Sequence, residues 1–415
     1  MLLALLLAAN VIRLPAGDVT VTKPIRVTVN TTLRGHSEGT VIRAGHGFAG
    51  RAVVECSSGC TVENLTIEGN RSRMERALPI APYDRDFIGF YANNGLIADG
   101  VEGLTVHNVT FRHIANFAAI VARSRRVVFR NVTVEDSGSR NRSGRNNTTG
   151  GILLEEGTSE FVVSSSKFRR VRGNAVWTHS RAGSPRNGPG RIEDNDFEEI
   201  GRDAVQAGHA THIEVTDNRG QRIGYPTSVV DTEGGGIPVA IDTAGNVDRS
   251  TYRGNRFQDI NGKCIDLDGF HHGTVAKNHC SRMTNFAIVF NNTNPEMQST
   301  QVVVEDNVFE DLRYGAIFVI GTSNTIRRNR MLRVNMAGCN DAPNCIYDAS
   351  QPDLLRAGIY IGHAAERPAP ASDNIITENV VEGRGMSRHC VVTSPKTDRA
   401  RQTIEGNTCS ESTAR

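Results

Sequence analysis

Short alternations of aliphatic and polar residues fill this chain almost from end to end. One pattern recurs: an aliphatic residue, two variable positions, Asn, one variable position, then an apolar residue. It reads "VENLTI" (62–67), "VHNVTF" (106–111), "IEDNDF" (192–197), "YRGNRF" (252–257), "VAKNHC" (275–280), "VEDNVF" (304–309), "IRRNRM" (326–331), "ITENVV" (376–381) and "IEGNTC" (404–409). A second element comes after each Asn, small then aliphatic at alternate positions, as in "AAIVAR", "GILLEE", "NAVWTH", "DAVQAG", "IPVAID", "KCIDLD", "FAIVFN", "GAIFVI" and "AGIYIG". Period-two burial separated by Gly and Asn turns predicts at least two short strands in each repeat. No amphipathic helical stretch competes with them.

The repeat is about 22 residues long, with Asn108 to Asn131, Asn255 to Asn278 and Asn307 to Asn329 as its plainest intervals. A coil of that size cannot bury its apolar face alone. Coils must stack with parallel, in-register strands, and stacked Asn side chains can then hydrogen-bond one another along a corner. This pattern resembles the right-handed parallel β-helix of the pectin-lyase-like superfamily, over residues 11 to 410 or so. The expected fold is all-β, a solenoid of about a dozen coils. Insertions are expected at about 70–95, 138–150, 224–236 and 335–357 of a single domain spanning 11–415. The resemblance implies carbohydrate chemistry but no single family. Polygalacturonase-like hydrolases carry Asn-Thr-Asp, Asp-Asp, Gly-His-Gly and Arg-Ile-Lys in order. Here the only Gly-His-Gly is Gly45-His46-Gly47, far too early, and the other three are absent. "WTHS" at 177–180 matches the Trp-Ile-Asp-His of pectate lyases only faintly, and the Asp-Pro-His-Glu of mannuronan epimerases is missing.

Composition fits a thin-cored solenoid better than a globular α/β enzyme, with 38% hydrophobic and 6% aromatic residues. A net charge of +2 gives no bulk field that would point to nucleic acid. The opening "MLLALLLAA" is too short to span a bilayer and resembles the apolar region of a signal peptide, so residues 1–10 are read as its remnant. Eight cysteines form four local couples: Cys56 with Cys60, Cys264 with Cys280, Cys339 with Cys345, and Cys390 with Cys409. Local pairing of an even count points to disulfides and to a secreted or periplasmic protein.

Candidate chemistry comes from stacking the second strands. Aligned on Ile120, Ile152, Val176, Val205, Val239, Ile265, Ile288, Ile317 and Ile359, they place Trp177, Gln206, Asp266 and Tyr360 in one outward column. The next holds Arg123, Glu155, His179, Asp242, Asp268 and Asn291. That register sets Asp268 on Asp242 with Asp266 alongside. Carboxylates so close cannot all ionise freely, which is the condition for a general acid beside a base or nucleophile. Asp242, Asp266, Asp268 and His179 are therefore the expected catalytic groups. Substrate contacts are expected from Trp177, Gln206, His209, Glu155, Arg123, His271, His272, Asn291 and Tyr360, with Asp231 and Glu233 from the 224–236 loop. Trp177 equally suits packing under a loop, and His271–His272 a turn. Paired Asp residues favour a glycoside hydrolase, needing no cofactor, over a lyase or epimerase of uronic polymers, for which the cluster would hold calcium. A non-catalytic glycan-binding surface protein is the remaining alternative. The expected partner is a polysaccharide or oligosaccharide, and a homo-oligomer is compatible with the fold.

Overall fold

A computed structural model describes residues 10–412 apart from 78, 83, 231–236, 294–296 and 341–344. Among the described residues, strands gather into a sheet of 26, a sheet of 14 and a small sheet of two. Each strand pairs in parallel with its equivalents in the neighbouring coils, as expected of a parallel β-helix. Inward residues form one continuous apolar core, in which Phe168 and Phe197 stack at 5.1 Å. No helix among the described residues is long and apolar enough to cross a membrane.

The corner ladder runs through Asn195, Asn218, Asn255, Asn278, Asn307, Asn329, Asn379 and Asn407. Each Nδ2 donates to the Oδ1 of the next Asn at 2.9–3.0 Å. The same Oδ1 accepts a backbone N–H, and the same Nδ2 donates to a backbone carbonyl, as at Asn278. The residue just before each ladder position turns left-handed, with φ of 53° at Asp194, 56° at Lys277 and 56° at Asp306. Asn108 and Asn131 share this corner but occupy that left-handed position, φ 53° at both. They are exposed and, with Asn64, form a separate outer ladder of 2.7 and 3.3 Å bonds. Asn tolerates left-handed backbone as well as it caps a turn, so its recurrence marks the corner without fixing which of two adjacent positions it holds.

Three cysteine couples are disulfides: Cys56–Cys60, Cys264–Cys280 and Cys390–Cys409. The fourth differs from expectation, for Cys339 and Cys345 are buried free thiols. Burial, with Cys345 beside it, pushes the Cys339 thiol up to about 12, so it stays protonated and unreactive. Of residues 1–10, read as a signal remnant, 1–9 lie outside the described residues and Asn10 opens the strand Asn10–Arg13.

The outer face of the 14-stranded sheet is where the candidate carboxylates sit. At one end it is covered by the segment running from Asn70 to Asn93, which includes the short helix Phe87–Phe90. Phe87, Ile88 and Tyr91 bury themselves there against Ile120, Leu153 and Trp177, making a second apolar cluster outside the coil.

Candidate functional site

The outer column of the 14-stranded sheet reads Gln206, Asp242, Asp266, Val289, Phe318 and Tyr360 in successive strands. This differs from the expected register in two places. Ile241, not Val239, stacks between Val205 and Ile265, so Asp242 sits on Asp266 while Asp268 pairs with Ala244. Val239 and Ile241 both satisfy an alternating strand, and continuity with the flanking core residues selects Ile241. Likewise Ala119 and Val121 face the core while Ile120 faces outward, because Ala119 pairs with Ile152.

Asp242, Asp266 and Asp268 line one cleft of about 410 Å³. Asp242 is 9% exposed and accepts a hydrogen bond from Gln206 Nε2 at 2.8 Å. Gln206 is itself braced by Asn174. Burial, then the charges of Asp203 and Asp266, lift the Asp242 carboxyl well above the usual carboxylate range; Arg202 and Gln206 pull the other way without cancelling this. Asp203 is fixed by the Val239 N–H at 2.8 Å and by Arg202 at 3.3 Å. Asp266 is 7% exposed; one oxygen pairs with the Lys263 ammonium, and Oδ1 has no hydrogen-bond partner among the described residues. Burial works against the Lys263 charge, but Asp266, Asp242 and Asp268 outweigh it and hold its pKa above the ordinary value. Burial pushes the Asp268 carboxyl up to about 6, aided by Asp266 and Glu366 and opposed by hydrogen bonds from Thr293, whose N–H lies at 2.9 Å. The cleft thus holds one carboxyl lifted well above the usual carboxylate range beside another raised only to about 6. Such a set can move protons in both directions.

The other expected residues divide sharply. Asn291 lines the cleft and binds Glu366 at 3.2 Å. Tyr360 is fully buried beneath the far wall, stacked on Phe318 at 6.2 Å. His179 and Glu155 lie outside the cleft, under the 70–93 segment. Glu155 is wholly buried and accepts the N–H groups of Phe87 at 2.9 Å and Ile88 at 2.6 Å. His179 sits 3.9 Å from Glu155 and packs on Phe87 at 4.5 Å. Trp177 is no open platform: it is 5% exposed, edge-on to Phe87 at 5.2 Å. Arg123 does not project into the cleft but is spent on Asp99 at 2.6 Å and Asp86 at 3.0 Å, which hold its pKa above normal. His209 donates to the Ser184 carbonyl at 2.9 Å. His271 and His272 end the strand away from the cleft, bonded to Thr300 at 3.2 Å and Asp248 at 2.8 Å. Asp231 and Glu233 lie outside the described residues.

Five charged cleft residues escaped the sequence reading: Arg202, Asp203, Lys263, Asp348 and Glu366. Lys263 opens the same strand as Asp266, and that placement was its available signal. Asp348 and Glu366 come from irregular segments that carry no period.

The family model described as "Right handed beta helix region" matches residues 184–342, which contain the cleft strands. The chain resembles the catalytic domain of a GH87 alpha-1,3-glucanase solved with nigerose (TM-score 0.57, 13% identity, covering 96% of this chain and 64% of that one). It also resembles PfbA, a surface adhesin of Streptococcus pneumoniae (TM-score 0.52, 14% identity, covering 89% and 82%). No curated protein matches the sequence. At such identity these likenesses establish the fold. The chain has the right-handed parallel β-helix fold.

Proposed function

We propose that this is an exported glycoside hydrolase whose cleft works through Asp242 and Asp268. One observation carries the reading: a buried carboxyl lifted well above the usual range shares a cleft with one raised only to about 6, on adjacent strands of one sheet. Asp242 donates its proton to the glycosidic oxygen as that bond breaks. Asp268 accepts a proton from the water whose oxygen bonds to the anomeric carbon. Both carboxyls have then exchanged protonation states, and solvent restores them. Asp268 is diagonal to Asp242 across the strand pair, a separation of roughly 7–8 Å. That backbone spacing is compatible with the ~6.5–9.5 Å between carboxyls which leaves room for a water and inverts the anomeric centre. Asp266, pinned by Lys263, supplies a fixed negative charge between them.

The likeness to a GH87 alpha-1,3-glucanase supports hydrolysis, and three disulfides support export. The likeness to the PfbA adhesin favours a second reading, a surface protein that binds glycan without cleaving it. A panel of glycans assayed for new reducing ends decides between them. Turnover abolished by Asp242→Asn supports the hydrolase; glycan binding without turnover supports the second reading.

A further inference from the structure

We infer that the cleft takes the end of a glycan chain free of acid groups, and turns away uronate or sulfated polymers. This rests on the hydrolase reading above and narrows its substrate. The first ground is charge. Among the described residues, Asp203, Asp242, Asp266, Asp268, Asp348 and Glu366 line the cleft against two cations, Arg202 and Lys263. Both cations are already committed, Arg202 to Asp203 at 3.3 Å and Lys263 to Asp266. Asp348 is held ionised by the Ser350 N–H at 2.8 Å, which lowers its pKa. A substrate carboxylate would meet acceptors and like charge in a partly dry site, where such repulsion is strongest. A sugar hydroxyl meets what it needs. Asp266, more than nine-tenths buried in the lining of this cleft, has an Oδ1 with no donor among the described residues.

The second ground is closure. On the Trp177 side the sheet is roofed by Phe87 and Ile88, latched by Glu155. On the Tyr360 side Leu354 joins the buried cluster that holds Tyr360, and Asn292 and Arg367 bridge across through reciprocal bonds of 2.9 and 3.1 Å. The open floor between spans about four strands, roughly 15–20 Å at the ordinary inter-strand spacing. Its volume of about 410 Å³ is that of a site for a small ligand. A polymer lying along the sheet would have to pass through both covers, whereas a chain end fits between them.

The test uses the full chain with neutral and amino-sugar glycans in parallel with polygalacturonate, alginate and a sulfated glycan. Products are sized by mass, and polymer viscosity is monitored. The expected result is turnover of a non-acidic glycan at least about 100-fold faster than of any acidic one. One product size should appear from the first time points, while viscosity falls little. Comparable turnover of an acidic polymer, or an early spread of internal fragments, overturns the inference. If nothing is hydrolysed, the hydrolase reading fails, but calorimetry with neutral and uronate oligosaccharides still tests the charge preference. Uronates binding as tightly as neutral chains would sink it. A Glu366→Gln/Asp348→Asn variant should bind uronate oligosaccharides about tenfold better, and no gain would count against the electrostatic argument.

Discussion

Two polar columns run through the coil stack, and they are built on opposite principles. At the corner, each Asn brings a donor and an acceptor, so Asn255, Asn278 and Asn307 satisfy one another and the neighbouring backbone at 2.9–3.0 Å. In the cleft, Asp242 and Asp266 stand in register with acceptors only, and one ammonium and one amide between them. Stacking identical groups every ~4.8 Å is stabilising when each group is self-complementary and costly when it is not. The corner is a device of stability. The cleft keeps an arrangement that stability alone disfavours, which is the physical reason to look for chemistry there.

The largest effect should come from breaking the cleft column. Asp242→Asn and Asp268→Asn preserve shape and remove the titrating proton, and each should lower turnover by about 10²–10⁴-fold on an identified substrate. Their thermal midpoints should match or exceed the parent's, since each replaces a carboxyl whose ionisation burial and neighbouring carboxylates oppose. Full activity in both variants would refute the two-carboxyl mechanism.

Turning one column into the other is the sharper structural test. Asn278→Asp places an acceptor-only group in the corner, takes the donor from the Tyr252 carbonyl, and sets a carboxylate oxygen against the Asn307 Oδ1. An uncompensated buried charge should lower unfolding stability by about 3–5 kcal/mol, read as a drop in denaturant midpoint. A midpoint equal to the parent's would mean the ladder tolerates acceptors, and the contrast would collapse.

A third variant separates packing from binding. Trp177→Ala removes the largest ring of the covered cluster and should cost about 3–5 kcal/mol of stability, by loss of contacts with Phe87 and Phe117. Because Trp177 lies outside the cleft, the KM of the folded variant should change less than about twofold. A large rise in KM with unchanged stability would restore Trp177 as a sugar platform.

The same contrast explains how much of the molecule was legible in the sequence. Asn255, Asn278, Asn307 and Asn329 announce the fold because repetition of one self-pairing residue is visible at any register. The three cleft aspartates were also visible, since carboxylates two apart on a strand share a face. Their partners were not. Val239 and Ile241 are interchangeable in an alternating pattern, so the sequence left a two-residue slip open, and the slip moves Asp242 from Asp268 to Asp266. The cover from Asn70 to Asn93 has no period at all, and it alone decides that Trp177, Glu155 and His179 are enclosed. Repeats encode where strands stack; the irregular segments encode which part of the stack remains open.

The smallest effect concerns pH, and its sign is unusual for a carboxylate. Asp268 titrates near 6 in the folded protein, against an ordinary value of 3.8. Below pH about 4 the carboxyl is protonated in both states and contributes no difference. As pH rises, the unfolded carboxyl ionises first, so stability declines until the folded one also ionises near pH 6, and then levels. A shift of about two units corresponds to at most about 3 kcal/mol, less any exposure to solvent. Thermal midpoints measured from about pH 4 to 7 should therefore fall more steeply for the parent than for Asp268→Asn. Over the same range the parent's turnover should rise as Asp268 becomes the base, with its midpoint near pH 6. Parallel stability curves for parent and variant would show that the cleft does not strain Asp268, and would remove one side of the comparison between the two columns.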